Sequence, residues 1–220
     1  MSRYIQERLF WVMVVFLAIG IYYPAIGIVA LVCMLGPVVM SFFRGRYWCG
    51  NFCPRGSFYD GVVRRISPHR QIPAFFRHPW WRLFMVGFIM VMFSIQAYFA
   101  WGSLTAMGMV FIRLILVTTA VGLVLGLIFH QRTWCSFCPM GTMAHWVSAS
   151  RQKRPLMVAD SCVGCQACAK VCPMQLQPYT AKGLAAGFVH SDCLKCGRCV
   201  EICPKQALSF SLDKGRNGIQ

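Results

Sequence analysis

Two long stretches without charge decide most of what this chain can become. Residues 9–43 contain no Asp, Glu, Lys, Arg or His, a run of 35, and residues 83–131 carry one formal charge, Arg113. A helix needs roughly 20 apolar residues to cross a bilayer, so the second stretch suits a hairpin. The first is too long for one straight span and tight for two; a short hairpin fits it, and a single tilted, Pro-kinked span with the N-terminus outside is the alternative. Tyr22-Tyr23-Pro24 marks the turn in the first stretch, and Ala100-Trp101-Gly102-Ser103 to Gly108 marks it in the second. The expected fold is an α-helical membrane protein of about four transmembrane helices in two hairpins, near residues 4–22, 25–43, 81–100 and 109–130. Pro79, Trp80 and Trp81 open the second hairpin with helix-start and interfacial signals.

Charge gives the orientation. The net charge is +16, and residues 44–82 hold eight arginines against one acid, Asp60. Arg132, Arg151, Lys153 and Arg154 follow the second stretch, whereas the outer turns carry no charge. The positive-inside rule therefore puts residues 44–82, everything after 131, and the N-terminus with Arg3 and Arg8 in the cytoplasm. No nucleic-acid recognition module is present, so the charge reads as membrane orientation and no nucleic-acid partner is expected. Arg3 and Arg8 ahead of an apolar run imitate a signal peptide, but the run is far too long for a cleaved one. Past Pro155 the composition becomes mixed. The chain divides into a transmembrane domain (1–155), a small soluble domain (156–212) and a tail (213–220). At 57 residues the soluble part has a marginal core of its own, so bound metal is expected to stabilise it.

There are thirteen cysteines, twelve of them in four tight clusters. Cys33 stands alone in a span and is expected to be a buried core thiol. Eight of the twelve form two copies of one pattern 31 residues apart: Cys162-x2-Cys165-x2-Cys168-x3-Cys172-Pro173 and Cys193-x2-Cys196-x2-Cys199-x3-Cys203-Pro204. A three-cysteine loop presents thiolates to three corners of a [4Fe-4S] cubane, and the fourth cysteine reaches the other cluster. Cluster one is thus expected on Cys162, Cys165, Cys168 and Cys203, and cluster two on Cys193, Cys196, Cys199 and Cys172. A zinc site would use two separated pairs, which neither run has. Residues 158–212 resemble the bacterial dicluster ferredoxin, so the soluble domain is expected to be α+β and ferredoxin-like.

The remaining four clustered cysteines form a second repeat. Tyr47-Trp48-Cys49-Gly50-Asn51-Phe52-Cys53-Pro54-Arg55-Gly56 echoes Thr133-Trp134-Cys135-Ser136-Phe137-Cys138-Pro139-Met140-Gly141, each directly after an apolar span. Two-span blocks ending in such motifs, followed by a dicluster domain, resemble the NapH family of membrane quinol-dehydrogenase subunits, with NosR-type and oxidase-assembly iron–sulfur proteins in the wider group. The second motif is one residue shorter than the first, and the first hairpin has almost no outer loop. Three roles are open for Cys49, Cys53, Cys135 and Cys138. They converge on a third iron–sulfur site, or they carry out thiol–disulfide chemistry within each pair, or they are inert cysteines packed beside Trp48 and Trp134.

Among polar groups in the apolar stretches, Arg113 near the outer end of the last span, with Gln96 and Trp101, could frame a pocket for a quinone head; Arg113 as a headgroup anchor is the alternative. No histidine lies in a span interior to hold a haem. Phe58, Val62, Val63 and Ile66 share a helical face opposite Arg64 and Arg65, which predicts a segment lying on the membrane surface. The expected function is electron transfer between the quinone pool and a redox partner, another subunit or a carrier protein, in the bacterial inner membrane. The expected cofactors are two [4Fe-4S] clusters, with a third iron–sulfur cluster and quinone as open candidates. The alternative is a maturation factor that reduces a metal ion or thiol during assembly of a respiratory metalloenzyme.

Overall fold

The structure, a computed structural model, describes residues 8–151 and 155–210. The expected first-span start near residue 4 and the tail 213–220 lie outside these residues. In chain order the first part comprises α1 (Phe10–Tyr22), a 3-10 lead-in (Pro24–Val29) to α2 (Ala30–Arg44), and the short helices α3 (Tyr47–Asn51) and α4 (Pro54–Gly61). It continues with α5 (Pro79–Phe99), α6 (Leu104–Ile128) and α7 (Pro139–Arg151). Pro24–Arg44, α5 and α6 are long and apolar enough to cross a membrane, whereas α1 has only 13 residues. Among the described residues, three helices of full length and one short apolar helix therefore stand where about four spans were expected. Trp11, Val32, Leu83, Phe88, Val117 and Val124 are each more than half exposed. Water would penalise such surface and lipid would not.

The second turn is tighter than the sequence predicts. Ser103 caps α6 by accepting the Ala106 amide at 3.4 Å, so the helix begins at Leu104. Gly108 is consequently helical, and its purpose is contact: a Cβ there would overlap the Pro24 carbonyl, and one at Gly27 would overlap the Gly108 backbone. The two repeats thus touch backbone to backbone near this turn. Farther along, α1 packs on the 3-10 lead-in, α4 and α6 instead of along α2.

At the opposite ends of the spans the two cysteine motifs fold alike despite their unequal length. Cys53 donates its amide to the Trp48 carbonyl at 3.0 Å, and Cys138 to the Trp134 carbonyl at 2.9 Å. The extra residue is absorbed because the first motif makes an α turn and the second a tighter 3-10 turn, Trp134–Ser136. Each following helix then starts with proline at its first position, where no amide is needed. Packing is crossed: α2 lies along α7, while α6 meets α4 and the 3-10 turn Val63–Arg65. Gly122 and Gly126 clear room for Tyr59 and Val63, which are buried with Trp134 and Phe137. The predicted surface-lying face is therefore split. Because α4 ends at Gly61 and the chain tightens into the 3-10 turn, Val63 turns inward while Val62 and Ile66 stay exposed.

The C-terminal domain is closed by an antiparallel pair, β1 (Leu156–Val158) and β2 (Leu208–Phe210), in register Leu156↔Phe210 and Val158↔Leu208. Leu156, Val158, Cys168, Ala181 and Leu208 form its core. Two four-residue helices, α8 (Ala167–Lys170) and α9 (Arg198–Glu201), occupy equivalent places in the two halves. The domain is docked on the motif edge. Gln175 bonds the backbone at Ile72 and Arg70, Arg77 donates to the Met174 carbonyl, and Gly50 leaves room for the Leu194 backbone.

Candidate metal centres

The two halves of the C-terminal domain repeat one backbone path at an offset of 31 residues. Left-handed conformations recur at Gly164 and Lys195, at Gln166 and Gly197, and at Gln175 and Gln206. These bends wrap each three-cysteine loop into a concave turn. Past each fourth cysteine an amide then points back at its sulfur, Leu176 at Cys172 and Ala207 at Cys203, both at 3.4 Å. Amides aimed at sulfur favour a thiolate, the form that iron takes.

Cysteines of the two runs lie near one another. Burial first, then the neighbouring Cys193, Cys196 and Cys172, push the Cys199 thiol well above its ordinary value. Burial with Cys196 and Cys172 nearby brings Cys193 up to about 11. Cys172, from the first run, thus sits among the three cysteines of the second. Cys168 is buried in a core on which Cys162, Cys199 and Cys203 all pack, while Cys165 is exposed. Thiols this reluctant to ionise become ligands when a metal displaces the proton. Among the described residues no three Cys, His, Asp or Glu side chains close on a single-ion site.

Cys49, Cys53, Cys135 and Cys138 line one cavity of about 210 Å³ between the spans. Cys49 and Cys135 also pack on Met174, Leu176 and Leu194, the apolar cluster that Cys172, Cys193 and Cys196 pack on. Burial first, with Cys49 beside it, pushes Cys53 up to about 12. Trp134 lines the cavity beside them. Four soft thiols on one cavity fit an iron–sulfur cluster.

The residues that build this site were not among those the sequence singled out. Arg46 and Arg132 each stand three positions before the first cysteine of their motif, and both are buried. They cross over. Arg46 donates to the Cys135 carbonyl at 2.7 Å, and Arg132 to the Cys49 carbonyl at 3.2 Å. Gly141 and Gly56, at matching places after the prolines, leave the notches: a Cβ at either would stand 2.7 Å from the opposite guanidinium. Asp60 binds Arg132 at 2.7 Å and Arg198 of the C-terminal domain at 2.6 Å. Asp192 binds Arg46 at 2.7 Å, Arg82 at 2.8 Å and His145 at 2.9 Å. Burial opposes charge on both aspartates, but Arg132 and Arg198 outweigh it at Asp60, and the His145 hydrogen bond with Arg46 and Arg82 outweighs it at Asp192, so both lie below the ordinary carboxylate value. Burial likewise opposes charge on Arg46 and Arg132, yet the aspartates and nearby thiols raise both above the usual guanidinium value. The matching Arg-x-x-Cys spacing was the available signal.

The other candidates fall elsewhere. Arg113 and Trp101 are exposed, Gln96 bonds its own helix at Met92, and none of the three lines the cavity. Cys33, expected to be buried, is exposed and faces the cavity, one turn before Pro37.

Two family models match. One, described as a 4Fe-4S binding domain, covers residues 26–73 and again 106–156, the two span-and-motif units. The other, a 4Fe-4S dicluster domain, covers residues 161–208. An uncharacterized protein of Methanocaldococcus jannaschii is 23% identical over 189 residues, spanning 80% of this chain and 74% of that one. No solved structure matches significantly. Together the two iron–sulfur models mark the chain as a 4Fe-4S ferredoxin-like protein.

Proposed function

We propose that this protein is a membrane-bound electron relay between the quinone pool and a redox partner at its ferredoxin domain. The carrying observation is that the four edge thiols line the intramembrane cavity while two of them share an apolar cluster with Cys172, Cys193 and Cys196. Three ligand sets then run in a row from cavity to exposed surface: the edge set, the set with Cys193, and the set with Cys162. Bound there, [4Fe-4S] clusters supply one-electron oxidation and reduction.

The chain's own residues do the rest. Met174, Leu176 and Leu194 keep water from between the edge set and the next. The aspartate–arginine network fixes the ferredoxin domain on the motif edge. Phe16, Met34 and Phe93 offer apolar walls for an isoprenoid tail, while Thr118 and Arg55 offer polar groups to a quinone head. The arginine-rich segments support a cytoplasmic position for the motif edge and the C-terminal domain, at a bacterial inner membrane.

Anaerobic reconstitution in liposomes tests the reading. Quinol should bleach the cluster absorbance, Cys135→Ser should stop this, and iron should fall from near twelve to near eight per chain. Cys33 gives a second readout: a lipophilic maleimide should label it, and a quinone analogue should slow that labelling. An unchanged spectrum with quinol, and unprotected Cys33, would remove the proposal.

A further inference from the structure

From the crossed arginines we infer that Arg46 and Arg132 are positioning residues whose fixed charge raises the reduction potential of the edge site. The inference rests on Cys49, Cys53, Cys135 and Cys138 holding a cluster together. Reduction adds one electron, from dithionite or quinol, and no proton, so the site gains one unit of negative charge. A buried positive charge beside it stabilises the reduced form more than the oxidised form, and low local dielectric magnifies the difference.

The geometry gives the charge its place. Arg132 Nη1 lies 3.6 Å from Cys135 Sγ and also donates to the Cys49 carbonyl, so one guanidinium touches both motifs. Arg46 reaches the Cys135 carbonyl from the other side. Both arginines line the cavity with the four thiols. Neither is needed alone to neutralise its aspartate, because Asp60 keeps Arg198, and Asp192 keeps Arg82 and His145. Single arginine variants therefore leave no carboxylate unpaired. Asp60 and Asp192 together face four arginines, so the network beside the motifs carries more positive than negative charge.

The test is an anaerobic redox titration followed by EPR, with iron content measured on the same samples. Arg132→Gln should keep near twelve irons and weaken reduction of the edge site at least tenfold, a fall of about 59 mV for one electron. Arg46→Gln should shift it in the same direction by less, since Arg46 does not touch sulfur. Arg132→Lys, which keeps the charge, should restore most of the potential, and the two ferredoxin-domain clusters should not move. If the Gln variants lose the edge cluster, the Lys variants carry the test: retention at near wild-type potential supports the inference, and loss in both overturns it. An unshifted potential in Arg132→Gln at full iron content also overturns it. Wild-type iron near eight would instead remove the four-thiol reading on which the inference stands.

Discussion

Four residues past the glycine of its Cys-Pro motif, the first repeat carries Asp60; at the same place the second carries His145. The surrounding parts match: an arginine three before the first cysteine, a tryptophan beside it, a proline after the second, and a glycine notch for the opposite arginine. The difference changes where the counterion comes from. Arg132 is neutralised within the membrane half by Asp60, whereas Arg46 relies on Asp192, 146 residues away in the C-terminal domain. His145 meets that borrowed carboxylate at 2.9 Å. One half of the edge site is thus complete by itself, and the other is completed by docking of the C-terminal domain. A buried cation without its partner is costly, so the second repeat ties the membrane half to that domain.

Removing the borrowed acid should break this asymmetry most visibly. Asp192→Ala leaves Arg46 and Arg82 buried without their carboxylate, and thermal unfolding in detergent should show a loss of about 3–5 kcal/mol or more. Arg198→Gln cuts the bond from Asp60 to the C-terminal domain while leaving the Asp60–Arg132 pair, and should cost about 1.5–3 kcal/mol. If that variant destabilises more than Asp192→Ala, the first repeat is the one that depends on docking. The glycine notches sharpen the comparison at finer scale. Gly56→Ala should cost more than Gly141→Ala, each within about 1–3 kcal/mol, because the added methyl at Gly56 would also stand 3.1 Å from the Cys49 carbonyl, against 3.4 Å to the Cys135 carbonyl at Gly141. The smallest effect is expected for His145→Gln, about 0.5–1.5 kcal/mol by the same measurement, since Asp192 keeps both arginines.

Much of this was legible before any coordinates. Uncharged runs announced the spans, the 31-residue cysteine repeat announced the dicluster domain, and the paired Trp-Cys motifs announced an internal duplication that the family match at 26–73 and 106–156 reproduces. What stayed hidden depends on contacts between distant segments. Arg46 and Arg132 counted toward a topological charge bias, which treats every arginine as solvated, yet they are among the most buried side chains. Gly108 looked like turn chemistry because glycine serves turns and close approach equally well, and only the neighbouring Pro24 backbone decides between them. Arg113, Gln96 and Trp101 drew notice as polar or aromatic groups at an apolar margin, but lipid headgroups accommodate such residues without any pocket. Val62 and Ile66 fit a continuous helical wheel that the chain abandons at Gly61.

The contact of Gly27 with Gly108 has a consequence for movement. The bundle is cinched there by backbone contact and latched at the motif edge by the crossed guanidiniums, so the two repeats are tied at both ends of the cavity. A rearrangement that widens the cavity from either end must first break one of those ties.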